Sequence, residues 1–208
     1  MPTPRHRVIQ PRILYFGTPV ALLSTLQPDG SANLSPFSSV WALDDRLIVG
    51  LGLLGQGLAN LQRTREAVVN LPSPALWEQV ERLGPTTGRD PVPVEKRQMG
   101  YRFEPRKFER AGLTPLPSDT VGAPRVAECP LQLETRLLEV RGSWQTPEQD
   151  EPGFAIAELQ VTRVHAHEDI TVPGTHHVDP ARWGPLLYVF RHYVGTSGAL
   201  GRNFRAET

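Results

Sequence analysis

The sequence predicts a mainly β fold: a small closed barrel of short strands with a few short helices. Three observations carry this. The 21 prolines and 18 glycines make about 19% of the 208 residues, against roughly 12% on average, so turns are plentiful. The apolar segments are short, rich in β-branched or aromatic residues, and bounded by turn signals. Helical spacing is never sustained for more than about two turns.

The elements follow in order. Ile13-Leu-Tyr-Phe16 and Pro19 to Leu26 read as strands, and Pro28-Asp-Gly30 supplies the turn after them. Ser31 to Val40 is the return strand of that hairpin. Asp44-Asp45 makes the next turn, and Arg46 to Leu53 is a strong strand. Leu58 to Glu66 carries apolar residues at helical spacing, and Ala67 to Leu71 is a strand stopped by Pro72. Pro74 to Leu83 is a short helix with proline in its first turn. Residues 85 to 104 show no period and read as an excursion over the surface. Pro105 to Ala111 is a helix closed by Gly112, and Thr114 to Pro124 is a proline-rich loop. Leu131 to Val140 and Phe154 to His167 are long strands, the second alternating cleanly. Residues 186 to 193 form a last aromatic strand before a glycine-rich, basic tail. The sum suits a small barrel.

Composition narrows the function classes. Hydrophobic residues at 39% plus glycine give about 48% apolar, enough for a sizeable core. Twenty-two basic and 22 acidic residues cancel, so no nucleic-acid or anionic-membrane partner is expected. The longest apolar run, Leu47 to Gly55, is 9 residues, half of the ~18 that suggest a membrane span. Met1 to Arg12 has no apolar run behind it, so no secretory signal is expected. The lone Cys129 excludes a disulfide framework and a cysteine-rich zinc site. One cytoplasmic domain over residues 1–208 is the expectation.

Gly50-Leu-Gly52-Leu-Leu-Gly55 matches G-x-G-x-x-G between a strand and a helix, the context of a dinucleotide turn. Three features weigh against that reading. The next strand, ending Val69-Asn70-Leu71-Pro72, has no acidic residue for ribose hydroxyls. The repeated helix–strand units of a doubly wound sheet are missing. Tight turns join the earlier strands, as antiparallel hairpins require and parallel crossovers forbid. Gly55-Gln56-Gly57 still opens a helix whose amides suit an anion.

His165-x-His167 and His176-His177 are the metal-like spacings; they read as a solvated strand end near Glu168, Asp169 and Asp179, and no metal is expected. No G-x-S-x-G elbow or Walker lysine is present, and Cys129 reads as a small buried hydrophobe. The tryptophans at 41, 77, 144 and 183 read as core or edge packing. Asn33-Leu-Ser-Pro-Phe-Ser-Ser39 stands out, because a hydroxyl-rich strand bearing proline does not suit a sheet centre. It reads either as an irregular edge or as backbone opened toward ribityl or phosphate oxygens.

An ordered set of motifs resembles the flavin reductase-like, FMN-binding split-barrel family. Pro19-Val-Ala-Leu-Leu-Ser-Thr-Leu-Gln-Pro-Asp-Gly30 and Ala32-Asn-Leu-Ser-Pro-Phe-Ser38 begin it, and Leu58 to Pro72 continue it. Lys107-Phe-Glu-Arg-Ala-Gly-Leu-Thr114, Pro124 to Glu128 and Tyr188-Val-Phe-Arg-His-Tyr-Val-Gly195 complete it across nearly the whole chain. The resemblance implies a Greek-key barrel, a homodimer, and FMN in a groove near the dimer interface. By the same resemblance Ser35, Pro36, Phe37, Ser38 and Ser39, after Asn33, lie against the isoalloxazine and ribityl chain. Gly52, Gly55, Gln56, Gly57, Leu58 and Asn60 fall in the phosphate region. Relatives often carry Lys-Asp-Thr or Ser-Gln-Thr where this chain has Gly55-Gln56-Gly57, so a hydroxyl and a cation are missing. Threonine at 57 is therefore expected to tighten FMN. Arg191, His192 and Tyr193, with Arg202, close over the flavin or reach it from the second subunit.

The function implied is an FMN-dependent oxidoreductase of the NAD(P)H:flavin reductase type, passing hydride from nicotinamide C4 to flavin N5. The flavin carries that chemistry, so no catalytic side chain is assigned. A non-turnover electron carrier or sensor, and a flavin-free partner-binding barrel, remain as alternatives.

Overall fold

The computed structural model describes residues 4–11, 13–144, 153–196, 198 and 200. Strand β1 (Phe16–Pro19) leads into β2 (Ala21–Leu26), which pairs antiparallel with β3 (Ala32–Phe37). Gly30, with φ 84°, makes the turn between them, and the Asp29 carboxylate accepts both the amide and the hydroxyl of Ser31. β4 (Val40–Leu43) and β5 (Arg46–Gly52) form a second hairpin, turning at Asp44 with φ 55°. Helix α1 (Gln56–Thr64) follows and stops at Arg65, whose left-handed φ of 58° lets its amide donate to Leu61 O.

β6 (Glu66–Leu71) returns through the sheet. A 3-10 turn (Pro74–Leu76) runs into α2 (Trp77–Leu83), and then come β7 (Thr86–Thr87), α3 (Val94–Gln98) and β8 (Arg102–Phe103). Helix α4 (Lys107–Ala111) ends at Gly112, φ 70°. The short pair β9 (Pro115–Leu116) and β10 (Arg125–Val126) precedes the long hairpin β11 (Leu131–Trp144) and β12 (Phe154–Ala166). β13 (Leu187–Val189) and β14 (His192–Val194) close the described chain, with β13 also paired to β1.

Seven strands share one antiparallel sheet in the order β3-β2-β6-β11-β12-β5-β4. Its two edges, β3 and β4, are consecutive in the chain, separated only by Ser38 and Ser39. The sheet therefore curls until its edges meet, and the chain rather than a ladder joins them. Gly50 N donates to Ser39 O at 2.7 Å, which carries the β4–β5 ladder one residue into that join. This is a split barrel, and the antiparallel order removes the dinucleotide reading of Gly50 to Gly55.

Alternation along β2 explains the packing. Ala21 and Leu23 point into the barrel with Val49, Leu51 and Leu159, where Leu58 and Leu61 of α1 plug the interior. Val20 and Leu22 point the other way, onto a second core of Val80, Leu83, Phe108 and Ala111 from α2 and α4. The chain is apolar at four successive positions, Val20 to Leu23, because both faces of this stretch are covered. Cys129 is buried in that second core, where burial, and then Glu128, raise its thiol well above the ordinary value.

Of the two places expected for the tryptophans, Trp41, 56% exposed, takes the edge, on β4, and Trp77, 46% exposed, packs its ring 6.3 Å from that of Tyr193. Two sequence expectations change here. Residues 85 to 104 are not a loose excursion: β7 and β8 pair in parallel around α3 and form a wall beside the barrel. The histidines near β12 are not a solvated end. His165 Nε2 lies 2.8 Å from the Glu134 carboxylate, and His167 Nε2 lies 2.8 Å from Ala127 O. Burial alone would raise the Glu134 carboxyl. The Thr120 hydroxyl, the amides of Asp119 and Thr120, and His165 outweigh it and hold it down at about 2. Asp119, Glu134 and His165 lie close enough to share a cation, but these bonds already account for the Glu134 oxygens, which pin the loop from 117 to 124 onto β11.

Candidate functional site

A groove of about 500 Å³ opens where the barrel is split, within the usual range for a small-molecule site. One wall is the chain crossing between the two sheet edges, Ser35 to Ser39, with Gly50 and Leu51 of β5 beside it. Pro36 is tolerated there because β3 is an edge: its backbone on the side away from β2 has no ladder partner. Asn33 Nδ2 donates to Ser35 Oγ at 3.1 Å, so the Ser35 hydroxyl proton stays available to a ligand.

The start of α1 forms the floor, with Gly52, Leu54, Gly55, Gln56, Gly57 and Leu58 all lining it. Gly57 is packed hard against that wall. A Cβ there would sit 3.1 Å from Ser35 Oγ and 3.3 Å from Leu23 Cδ2. A side chain at 57 would therefore press on β2 and β3, which works against the gain in anion binding expected from threonine there. Gln56 Nε2 donates to Asn60 Oδ1 at 2.9 Å, which commits that amide to the helix itself.

The far wall comes from segments without assigned roles in the sequence. Val80, Gly84, Thr86, Thr87 and Gly88 line it with Lys96, Met99, Tyr101 and Lys107. Lys107 is 3% exposed. Its printed contact is a long bond to Thr86 O, 3.5 Å, and no carboxylate forms an ion pair with it among the described residues. Burial pushes its ammonium down to about 8, helped by repulsion from Lys96 and opposed by Glu104. Lys96 is lowered too, by burial and then by Arg89, and its Nζ lies 5.0 Å from the centre of the Tyr101 ring. Two ammonium groups therefore line one groove, and among the described residues no carboxylate forms an ion pair with either.

Tyr15, Tyr188 and Tyr193 close the groove's aromatic end. Ring centroids lie 5.3 Å apart for Tyr15–Tyr188 and 5.6 Å apart for Tyr188–Tyr193. The Tyr193 hydroxyl donates to Glu81 at 3.0 Å, and burial followed by that bond raises its ionisation well above the ordinary value.

Eleven of the fifteen sequence-predicted positions line the groove: Ser35 to Ser39, Gly52, Gly55 to Leu58, and Tyr193. Asn33 and Asn60 do not; they lie buried behind the lining, bonded to Thr25 and, for Asn60, to Gln27. Arg191 and His192 do not line it either. Phe190 and Arg191, with φ of 43° and 71°, turn the last hairpin, leaving Arg191 and His192 exposed near its tip and returning Tyr193 opposite Tyr188. Arg202 lies outside the described residues. Lys107 stands inside a quoted motif, so its position was visible and its burial was not. Lys96 and Tyr101 carry no sequence signal.

A family model for the flavin reductase like domain matches residues 13–197. The chain belongs to the flavin reductase-like family. It is 45% identical over 206 residues to the uncharacterized protein YdfE of Bacillus subtilis (strain 168), covering 99% of this chain and 97% of that one. Among solved structures it resembles the flavoredoxin of Desulfovibrio vulgaris (Miyazaki F), with TM-score 0.75, 20% identity, and 97% and 99% of the two chains covered. It also resembles an FMN-binding domain of a flavin reductases-like enzyme from Shewanella baltica OS155, with TM-score 0.62 and 19% identity over 91% and 90%. These likenesses agree on the split-barrel fold.

Proposed function

We propose that this flavin reductase-like chain binds FMN in the groove and works as an NAD(P)H-dependent flavin oxidoreductase. The observation that carries the reading is the union of two features in one cavity. A hydroxyl-rich edge strand with free backbone groups forms one wall, and on the other stands a buried Lys107 that forms no ion pair among the described residues. The residues fit a flat apolar ring with a polar edge and an anionic tail. Leu23, Leu51, Phe37 and the tyrosines supply the apolar surface, Ser35 and the open edge of β3 the hydrogen-bonding edge, and the α1 amides with Lys107 the anion end.

Bound FMN supplies the acceptance of hydride from a nicotinamide and its onward transfer. The chain's own contribution is placement. The Ser35 hydroxyl donates to the ligand's polar edge, α1 and Lys107 fix its tail, and Tyr15, Tyr188 and Tyr193 limit water at one end. A homodimer belongs to the same reading. Trp41 and Leu43 are exposed on the free edge strand β4, an apolar edge that a second copy would cover. Light scattering at micromolar concentration should give twice 23.1 kDa; the mass of one chain contradicts this part.

The test is titration with FMN, followed by flavin fluorescence, and then addition of NADH or NADPH without oxygen. Binding followed by bleaching of the flavin absorbance supports the whole reading. Binding with no bleaching by either nicotinamide leaves a carrier rather than a reductase. No quenching up to about 100 μM FMN, well above the micromolar range of an ordinary site, removes the flavin.

A further inference from the structure

Charge on the groove is segregated by sign. The groups acting on Lys107 of the far wall are Lys96 and Glu104, and the cation acting on Lys96 is Arg89. At the aromatic end the charge is negative: Glu81 of α2 acts there on Tyr188 and Tyr193. Its Oε2 accepts the Tyr193 hydroxyl at 3.0 Å and lies 3.6 Å from where a Cβ on groove-lining Gly84 would sit. Arg82, one residue on, turns instead to Glu78 and to Ala111 O. No lysine or arginine pairs with Glu81 among the described residues.

Three rings stand beside that carboxylate. Tyr188 is central, 5.3 Å from Tyr15 at an interplanar angle of 67° and 5.6 Å from Tyr193 at 53°. The rings thus present faces in different directions and do not stack into one slab. Each outer ring is held: the Ser39 hydroxyl donates to that of Tyr15 at 3.4 Å, and Glu81 takes that of Tyr193. Burial, before any other cause, raises the ionisation of Tyr188 and Tyr193, so both rings stay neutral. Angled aromatic faces with a carboxylate alongside suit a cation that has no N–H to donate. Arg191, which also acts on Tyr188, is exposed at the hairpin tip, where water screens it.

We propose that Tyr15, Tyr188, Tyr193 and Glu81 form a receptor for an N-alkylated pyridinium, the state of a nicotinamide ring that has given up hydride. The inference rests on the proposed function and assigns the aromatic end to the hydride donor. As hydride leaves C4 for bound flavin with both bonding electrons, the dihydropyridine ring is left with one positive charge. The tyrosine faces and Glu81 are already in place where that charge develops. The reduced ring is neutral and gains apolar contact alone. Glu81 acts through Tyr193 and across space, so it is a positioning residue.

The probe is 1-methylnicotinamide, a permanent cation, against neutral nicotinamide of similar shape. Each is titrated calorimetrically into the purified protein, as isolated and again after saturation with FMN. The wild type should bind the cation about threefold or more tightly than the neutral ring. Glu81→Gln should remove most of that preference, Glu81→Asp should keep part of it, and Tyr188→Leu should weaken the cation most. Neutral nicotinamide should change less than about twofold in Glu81→Gln, a selectivity that a general disturbance of α2 would not give. Equal binding of the two probes by the wild type overturns the receptor, as does a preference unchanged in both Glu81→Gln and Tyr188→Leu. A protein that prefers the cation but binds no flavin keeps the receptor and loses the proposed function. One whose flavin is bleached by NADH or NADPH without any such preference keeps the function and loses the receptor.

Discussion

Substituting Gly57 separates the structural account of this groove from one based on motif likeness. Likeness puts a threonine there and expects tighter anion binding. The structure puts a new Cβ 3.1 Å from Ser35 Oγ and 3.3 Å from Leu23 Cδ2, both closer than ordinary van der Waals contact. Neither neighbour yields easily. Ser35 is held by Asn33, and Leu23 is fully buried in the barrel. Overpacking of this kind costs about 1–3 kcal/mol, whereas replacing glycine by alanine in a helix returns at most about 1 kcal/mol. Gly57→Ala should therefore lose about 0–2 kcal/mol, and Gly57→Thr, with two more heavy atoms, about 2–3 kcal/mol. At about 2–4 °C per kcal/mol for this size, Gly57→Thr should melt roughly 4–12 °C lower than wild type. Displacing Ser35 also moves a groove hydroxyl, so FMN affinity should fall. Adding Ser35→Ala to Gly57→Ala removes the nearest atom and should restore part of the loss. Thermal melts and FMN titrations of the four proteins decide it. Gly57→Thr melting within 1 °C of wild type, the scale of a surface change, and binding FMN more tightly would refute the packing argument.

Two pH experiments test the buried charges. Glu134 is held at about 2 in the folded chain against an ordinary 4.5, so its contribution is complete above 4.5 and is lost as pH falls toward 2. Glu134→Gln should cost roughly 1–3 kcal/mol at neutral pH, and the gap from wild type should shrink between pH 4.5 and 3; a gap independent of pH would show that charge is irrelevant there. Lys107 behaves oppositely. Its folded value of about 8 lies below the ordinary 10.5, so between those values the unfolded chain holds more protons and stability rises with pH. Melting temperature should therefore climb from pH 8 to 10 relative to Lys107→Met, and the advantage of FMN over riboflavin should decline above pH 8. A flat difference between the two proteins would deny that Lys107 is buried as an ammonium.

Much of the barrel is legible in local chemistry. Pro28-Asp-Gly30 and Asp44-Asp45 are turns because their residues accept the backbone angles required, and both hairpins form where those pairs stand. The run Val20 to Leu23 reads as strand, and Leu58 with Leu61 marks the buried face of a helix. The hydroxyl-rich, proline-bearing stretch from 33 to 39 announces an edge open to a ligand, since such a strand has no place in a sheet centre.

What folding alone decides is which distant segments share a volume. Residues 85 to 104 lack period because their role is to line a groove, not to present a regular face, and no local pattern encodes that. Lys107 reads as an ordinary surface lysine on a short helix until α4 packs under β3 and takes it out of water. Gly57 reads as a missing threonine until β2 and β3 are seen to fill the space above it. Turns and strands answer to neighbours in sequence, so the chain states them directly. Burial of charge and crowding at a glycine answer to neighbours twenty or more residues away, and they exist only once the barrel has closed.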